Sequence, residues 1–365
     1  MSHAKQVLVS MTRREALRIG IGSTVSAAVA ATGAWAAEPV AQTLVMPGSP
    51  WSQVRGFNYQ PSYGSTGFEL WQKFDAKTIE TELARGKRFF PKMNALRWWQ
   101  SWDSFLRDPQ RYTRNFDMTL ELATKVGCQV MPCLFNRWHD ATLDYGGIYV
   151  DHFLPQASWV QKPKMFDVFL QALIGQHKDD PRILAWDLCN EPYAYGLPRE
   201  KMLPQIVESE TAWLKMLHDR CKELGARAPI TVGIHPGVPL ELVEPISDVL
   251  SIHPYFVHNN PKASKPDYEK SLDRDVAFAK KVGKPLVSTE CCWGALDDPV
   301  RVESVRYTLT QLKTRGIGWL VYLLHHSLIA DAHGPEFGPL SMPGNLAFIE
   351  ADGSLRPGHE VFNEF

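Results

Sequence analysis

Two short apolar runs in this chain each end on a glutamate, and those glutamates are the side chains best placed to do chemistry. The first run is Ile183-Leu-Ala-Trp-Asp-Leu-Cys-Asn190-Glu191-Pro192, with Pro181 just before it. Mostly apolar residues between prolines read as a strand buried on both faces, so the chain leaves that strand on Asn190 and Glu191. A carboxyl at the mouth of an apolar strand is partly desolvated, which favours its neutral, proton-donating form. Asn190 can both donate and accept hydrogen bonds through its amide. The second run, Pro285-Leu-Val-Ser-Thr-Glu290, ends the same way. Either run alone could simply close a strand on a solvated carboxylate. Together they offer one group to give a proton and one to attack.

The elements that must position them follow from hydrophobic period and turn residues. Strands are expected at 54–59, 94–99, 128–135, from Ile183 onward, and at 230–235, 249–255, around Leu286 and 318–324. Helical spacing falls between them at 75–90, 113–126, 164–177, 203–224, 268–282 and 299–315, with a turn near 240–246 and a C-terminal fragment at 360–365. Strands alternating with helices about eight times, without an internal linker, predict an α/β fold, a single closed (β/α)8 TIM barrel, over 37–365. An open doubly wound sheet would want a glycine-rich phosphate loop after its first strand, and Gly56-Phe-Asn-Tyr59 is not one. The long connection 136–163 carries Trp138, His139, Gly146, Gly147 and Trp159. A loop of that length and aromatic content is expected to be functional.

In a barrel the C-terminal ends of the strands gather at one mouth. Reading them off gives Asn58, Tyr59, Arg97, Asn136, Trp138, Asn190, Glu191, His235, His253, Tyr255, Glu290, Tyr322 and His325. Two carboxyls from the fourth and seventh strands, facing across a ring, suit cleavage of a glycosidic bond.

At this point residues 51–330 resemble the clan A glycoside hydrolases, the retaining (β/α)8 enzymes that include family 5 cellulases and mannanases. The Asn190-Glu191-Pro192 run is similar to the clan's acid/base motif, and Glu290 to its nucleophile. Asn94-Ala-Leu-Arg97 resembles the second-strand arginine that orients the nucleophile, and His253-Pro-Tyr255 the sixth-strand pair whose phenol reaches it. The resemblance implies double displacement with carboxyls about 5 to 5.5 Å apart. It implies that Asn190 holds the sugar 2-hydroxyl, with Asn58, Arg97, Asn136, His253 and Tyr255 lining the substrate site and Trp138 and Trp293 as ring platforms. The clan's eighth-strand tryptophan has no clear match: Trp319 sits too early, leaving Tyr322 or His325 in its place.

Two other classes remain open on the sequence. A non-catalytic carbohydrate-binding barrel would set the carboxyls too far apart for displacement. The histidines His139, His235, His253, His325 and His326 invite a metal-dependent barrel hydrolase, but the first strand lacks the paired histidines such a site needs. No metal or cofactor is expected.

Composition bounds the rest. With 365 residues, 44% hydrophobic and 22% charged, the chain is globular material for one large domain. A net charge of −1 gives no reason to expect nucleic acid as a partner. The expected partner is a polysaccharide or oligosaccharide substrate, bound by a monomer. Residues 1–36, with Thr12-Arg-Arg-Glu-Ala-Leu-Arg18 before a weakly apolar segment and Ala34-Trp-Ala36 as a cleavage site, resemble a twin-arginine export signal. The mature chain is accordingly expected outside the cytoplasm, periplasmic or secreted, without stable membrane association. Six cysteines, four of them in or ending strands, are expected as free thiols, with Cys291 and Cys292 the pair to inspect.

Overall fold

The computed structural model describes residues 50–137, 146–156, 160–195, 198–258, 262–328 and 346–365. The leader at 1–36 and the loop residues Trp138, His139 and Trp159 lie outside the described residues.

Eight parallel strands close on themselves in sequence order: β1 (Arg55–Asn58), β2 (Ala95–Trp99), β3 (Gln129–Asn136), β4 (Trp186–Asn190), β5 (Ile230–Ile234), β6 (Leu250–Ile252), β7 (Leu286–Ser288) and β8 (Gly318–Val321). Closure is made by β8 on β1, with Arg55 opposite Trp319 and Phe57 opposite Val321. The (β/α)8 barrel expected from the sequence is therefore the fold. β2, β4, β5, β6, β7 and β8 are buried along their whole length. Burial on both faces is why their sequences read as apolar runs rather than alternating ones.

The helices are α1 (Gly67–Gln72), α2 (Ala76–Phe89), α3 (Trp102–Arg107), α4 (Pro109–Lys125), α5 (Asp167–Leu170), α6 (Pro204–Glu223), α7 (Lys265–Val282) and α8 (Asp298–Thr314). All but α5 and α6 start at a side-chain cap. Asp75 accepts from the amides of Lys77 and Thr78, Asp108 from Arg111, Ser264 from Asp267 and Asp297 from Val300. Proline follows the cap directly at 109 and one position later at 266 and 299, where its missing N–H is no loss. These caps move two boundaries outward from the apolar periodicity: α4 begins four residues before 113, and α7 three before 268. α7 stops at Gly283, whose φ of +70° is open to glycine without strain. The helix expected at 164–177 is shorter, a single turn at α5 continuing into a π-helical turn over Gln171–Gly175.

Two local features matter for the site. The strand expected from Ile183 makes only an isolated bridge to Val130 there, and the ladder proper begins at Trp186. Along β4 the register against β5 shifts between Asp187 and Asn190: Asp187 faces Thr231, whereas Asn190 faces Gly233. The extra residue is a bulge, a device that re-aims side chains at the end of a strand.

Candidate active site

Glu191 follows that bulge immediately, in a left-handed backbone conformation with φ of +48°. Its amide donates to the Gly233 carbonyl at 2.8 Å, which locks the turn to β5. A non-glycine residue held in that region stores strain that the surrounding structure must over-determine, and such strain clusters at functional sites. Glu290 leaves β7 two residues after its end. Both glutamates are 5% exposed. One carboxylate oxygen of each, together with a ring nitrogen of His253, lies within 4.8 Å of the others. The carboxyls therefore face each other, and the wide separation of a non-catalytic barrel is absent.

Glu290 is held from two sides. Arg97 Nη1 donates to its Oε1 at 2.5 Å, and Tyr255 Oη to its Oε2 at 2.7 Å. Arg97 itself is fully enclosed: Nε donates to Asp187 Oδ2 at 2.9 Å, Nη1 to Asn58 Oδ1 at 3.0 Å and Nη2 to Asn190 Oδ1 at 2.8 Å. Burial opposes its charge, but the carboxylates of Asp187 and Glu290 outweigh burial and hold the guanidinium firmly protonated. Burial first, then Glu290 and Glu191, push the Tyr255 phenol up, so it stays a donor.

Glu191 has a different neighbour. His253 Nδ1 lies 2.7 Å from Glu191 Oε1, and its Nε2 lies 2.9 Å from Thr289 Oγ1. Burial lowers the imidazole to about 4, further than Glu290 raises it, so the ring is neutral at ordinary pH. One carboxyl thus meets a fixed positive charge and the other a neutral ring.

The remaining sequence candidates divide by exposure. Asn190 sits between the two groups, with Oδ1 on Arg97 and Nδ2 donating to Asn136 Oδ1 at 3.0 Å. Tyr322 stands just past β8, its hydroxyl donating to Gln60 Oε1 at 3.3 Å and its ring 6.3 Å from Trp99. Trp293 is 37% exposed, edge-on to Tyr255 with ring centroids 5.3 Å apart. Three of the residues expected at the substrate are enclosed by protein. Asn58, Arg97 and His253 are all buried to 1%, with their polar atoms taken up by protein. Arg97 and His253 lie behind the carboxylates, bonded to Glu290 and Glu191 respectively, and Asn58 lies behind Arg97. Of the eighth-strand alternatives, Trp319 is sealed under the Arg55 guanidinium, 3.7 Å from its ring. His325 turns away toward Arg85 and Glu82. Tyr322 is the aromatic left at the mouth.

Sequence reasoning missed Asp187, Gln60 and Thr289. Asp187 carried a signal: a charged residue inside an otherwise apolar strand needs a buried partner, here Arg97. Gln60 and Thr289 carried none, since polar residues next to a strand end are ordinary. All six cysteines, Cys291 and Cys292 included, are free and buried, as expected.

Glu191, His253 and Glu290 could in principle supply three ligand atoms. Their lone pairs are engaged, however: Glu290 by Arg97 and Tyr255, and Glu191 by His253. A guanidinium at 2.5 Å also opposes a cation at the same carboxylate. The donor set fits a hydrogen-bonded acid pair better than a metal centre.

No protein-family model matches the chain. It is 28% identical over 235 residues to a probable mannan endo-1,4-beta-mannosidase C of Aspergillus terreus, covering 56% of this chain and 55% of that protein. It is 22% identical over 283 residues to mannan endo-1,4-beta-mannosidase A of Hypocrea jecorina, covering 70% and 58%. The chain thus spans little more than half the length of these curated relatives. Among solved structures it is similar to an exo-beta-1,4-mannosidase from Opitutaceae bacterium strain TAV5, with a TM-score of 0.64, 19% identity and coverage of 85% of this chain and 58% of that one. A GH5_18 enzyme from Streptomyces cattleya in complex with GlcNAc matches with a TM-score of 0.62, 15% identity and coverage of 85% and 78%. The resemblance to family 5-like clan A glycoside hydrolases stands on the sequence relatives; the structural matches speak for the barrel.

Proposed function

We propose that this chain is a retaining glycoside hydrolase that cleaves β-mannosidic bonds in a polysaccharide or oligosaccharide. One observation carries the reading: two carboxylates from opposite sides of the barrel, Glu191 after β4 and Glu290 after β7, approach within 4.8 Å. Inversion needs a water between carboxyls set about 6.5 to 9.5 Å apart, and this gap is too narrow for it. The choice of β-mannoside rests on the names of the sequence relatives.

The chemistry follows from the environments. Glu290, ion-paired to Arg97 and hydrogen-bonded by Tyr255, attacks the anomeric carbon and forms the glycosyl ester. Glu191 gives its proton to the departing glycosidic oxygen as that bond breaks. Water then attacks the same carbon, Glu191 takes its proton, and the Glu290 ester is released with configuration retained. Asn190 keeps a second amide hydrogen beyond the one given to Asn136, and directs it to the sugar 2-hydroxyl. Tyr322 forms the ring floor, Trp293 the outer platform and Asn136 the third-strand wall.

The test is to incubate the purified protein with aryl β-mannosides, aryl β-glucosides and soluble mannan, glucan and xylan, and to follow the first-formed anomer by proton NMR. β-Mannoside hydrolysis with initial release of the β-anomer is expected. An initial α-anomer, or no hydrolysis of any substrate, overturns the reading. Export remains a separate proposal on residues 1–36; an N-terminus after Ala36 in the protein recovered from its native host supports it. No described helix is long and apolar enough to cross a membrane.

A further inference from the structure

Behind Glu191 lies a series of side chains that the reaction scheme leaves unused. Ser251 Oγ lies against Thr289 Oγ1, Thr289 Oγ1 is 2.9 Å from His253 Nε2, and His253 Nδ1 is 2.7 Å from Glu191 Oε1. Ser251 and Thr289 are fully buried. Gly233 makes room for the His253–Thr289 contact: a Cβ there would lie 2.6 Å from His253 Nε2 and 2.9 Å from Thr289 Oγ1.

The series has three contacts and three hydrogens to fill them, one each on Ser251, Thr289 and the neutral imidazole. If the hydrogens point toward Glu191, every contact holds one. If they point the other way, Glu191 donates to Nδ1, Nε2 to Thr289 and Thr289 to Ser251. The Ser251 hydrogen is then stranded, because among the described residues Thr289 Oγ1 is the only partner of Ser251 Oγ. A buried donor without an acceptor is costly, and the forward direction avoids it.

We propose that Ser251 and Thr289 are positioning residues that fix His253 as its Nδ1–H tautomer, so that Glu191 Oε1 always receives a hydrogen bond and the transferable proton is carried on Oε2. The proposal rests on Glu191 being the acid/base. A neutral donor aimed at Oε1 bonds the carboxylate more strongly than the acid, so the relay favours the form that activates water. Other charged or titratable groups face this pair: Glu290, whose Oε2 is 3.6 Å from His253 Nδ1, and Arg97, Asp187, His235 and Tyr255. None of them bonds the Thr289 hydroxyl, so a change at Thr289 reads the relay.

The experiment is the pH profile of kcat/KM for Thr289→Val, Thr289→Ser and Ser251→Ala against the parent. In Thr289→Val the donor to Nε2 is lost, the tautomer is no longer biased and the hydrogen bond to the Glu191 carboxylate weakens. The basic limb should move up by about half a pH unit or more. Ser251→Ala should move it less in the same direction, and Thr289→Ser should leave it in place. A basic limb that stays or moves down in both Thr289→Val and Ser251→Ala, with thermal unfolding showing a folded protein, overturns the relay. Glu191→Gln separates the two readings. If that variant keeps parental turnover, the acid/base assignment itself is wrong; if it is inactive while the limb does not respond to Thr289→Val or Ser251→Ala, only the relay is.

Discussion

The barrel interior changes character between its floor and its mouth, and two arginines show how. Near the strand starts, Trp51, Ala95, Met131, Ala185, Val287 and Leu320 pack as an apolar plug. Arg55 closes this end by stacking on Trp319 and donating to the carbonyls of Ser52, Val54 and Phe365. Burial lowers its guanidinium to about 10. One layer up, Arg97 meets Asp187 and Glu290 instead of carbonyls and is held charged more firmly. The same side chain is satisfied in both places. Carbonyls, however, accept hydrogen bonds without fixing a charge, whereas carboxylates fix position and charge together. The floor is built for closure, and the mouth for a defined charge distribution.

Substitutions at the two ends separate the two roles. The largest effect is expected at the carboxyls. Glu290→Ala and Glu191→Gln should each lose turnover by on the order of 10²–10⁴-fold or more, with thermal unfolding within a few degrees of the parent. Equal losses from a floor variant would erase the distinction. Arg97→Met comes next, since it leaves Asp187 and Glu290 buried without a counter-charge. Urea unfolding should show a loss of about 3–5 kcal/mol, accompanied by near-complete loss of activity. Tyr255→Phe removes one hydrogen bond to Glu290 and should lower kcat/KM by about 10- to 100-fold, the equivalent of about 1.5–3 kcal/mol, with the fold intact. Arg55→Met should reverse that pattern, with a stability loss of about 1–3 kcal/mol and kcat within about twofold of the parent.

The smallest effect is on stability against pH. Burial pushes both His253 and His359 down to about 4, with Arg301 and Arg356 adding to the effect at His359. The unfolded chain takes up these protons near pH 6.5 and the native protein only near pH 4, so their contribution is complete above about 6.5 and is lost as pH falls toward 4. Over the first unit below 6.5 each imidazole contributes less than about 1.4 kcal/mol. Denaturation midpoints at pH 7, 6 and 5 for the parent and for His359→Gln test this; an identical pH response in the two proteins would remove His359 from the account.

Much of this molecule is legible in the chain itself. The apolar runs locate all eight strands, because a strand buried on both faces is mostly apolar and admits a charge only where a buried partner meets it, as Asp187 meets Arg97. Helix beginnings are less legible when only the apolar period is followed. Asp108 with Pro109, and Ser264 with Pro266, carry the missing signal as cap and first-turn proline. The turn at Gln171–Gly175 has no such marker, and we have no physical account of its π-helical form.

The sequence alone determined which side chains end each strand, and hence that two glutamates, an arginine and a tyrosine would meet at one mouth. Which of them are enclosed and which stay at the surface of the mouth depends on the packed barrel. Asn58, Arg97 and His253 share the mouth with Tyr322 and Trp293, yet they are sealed behind the carboxylates, because side-chain direction depends on register with strands far away in sequence. The bulge that sets Asp187 against Thr231 and Asn190 against Gly233 turns Glu191 toward His253 and Glu290. No local period encodes that shift, because it arises where two strands about forty residues apart must share one ladder.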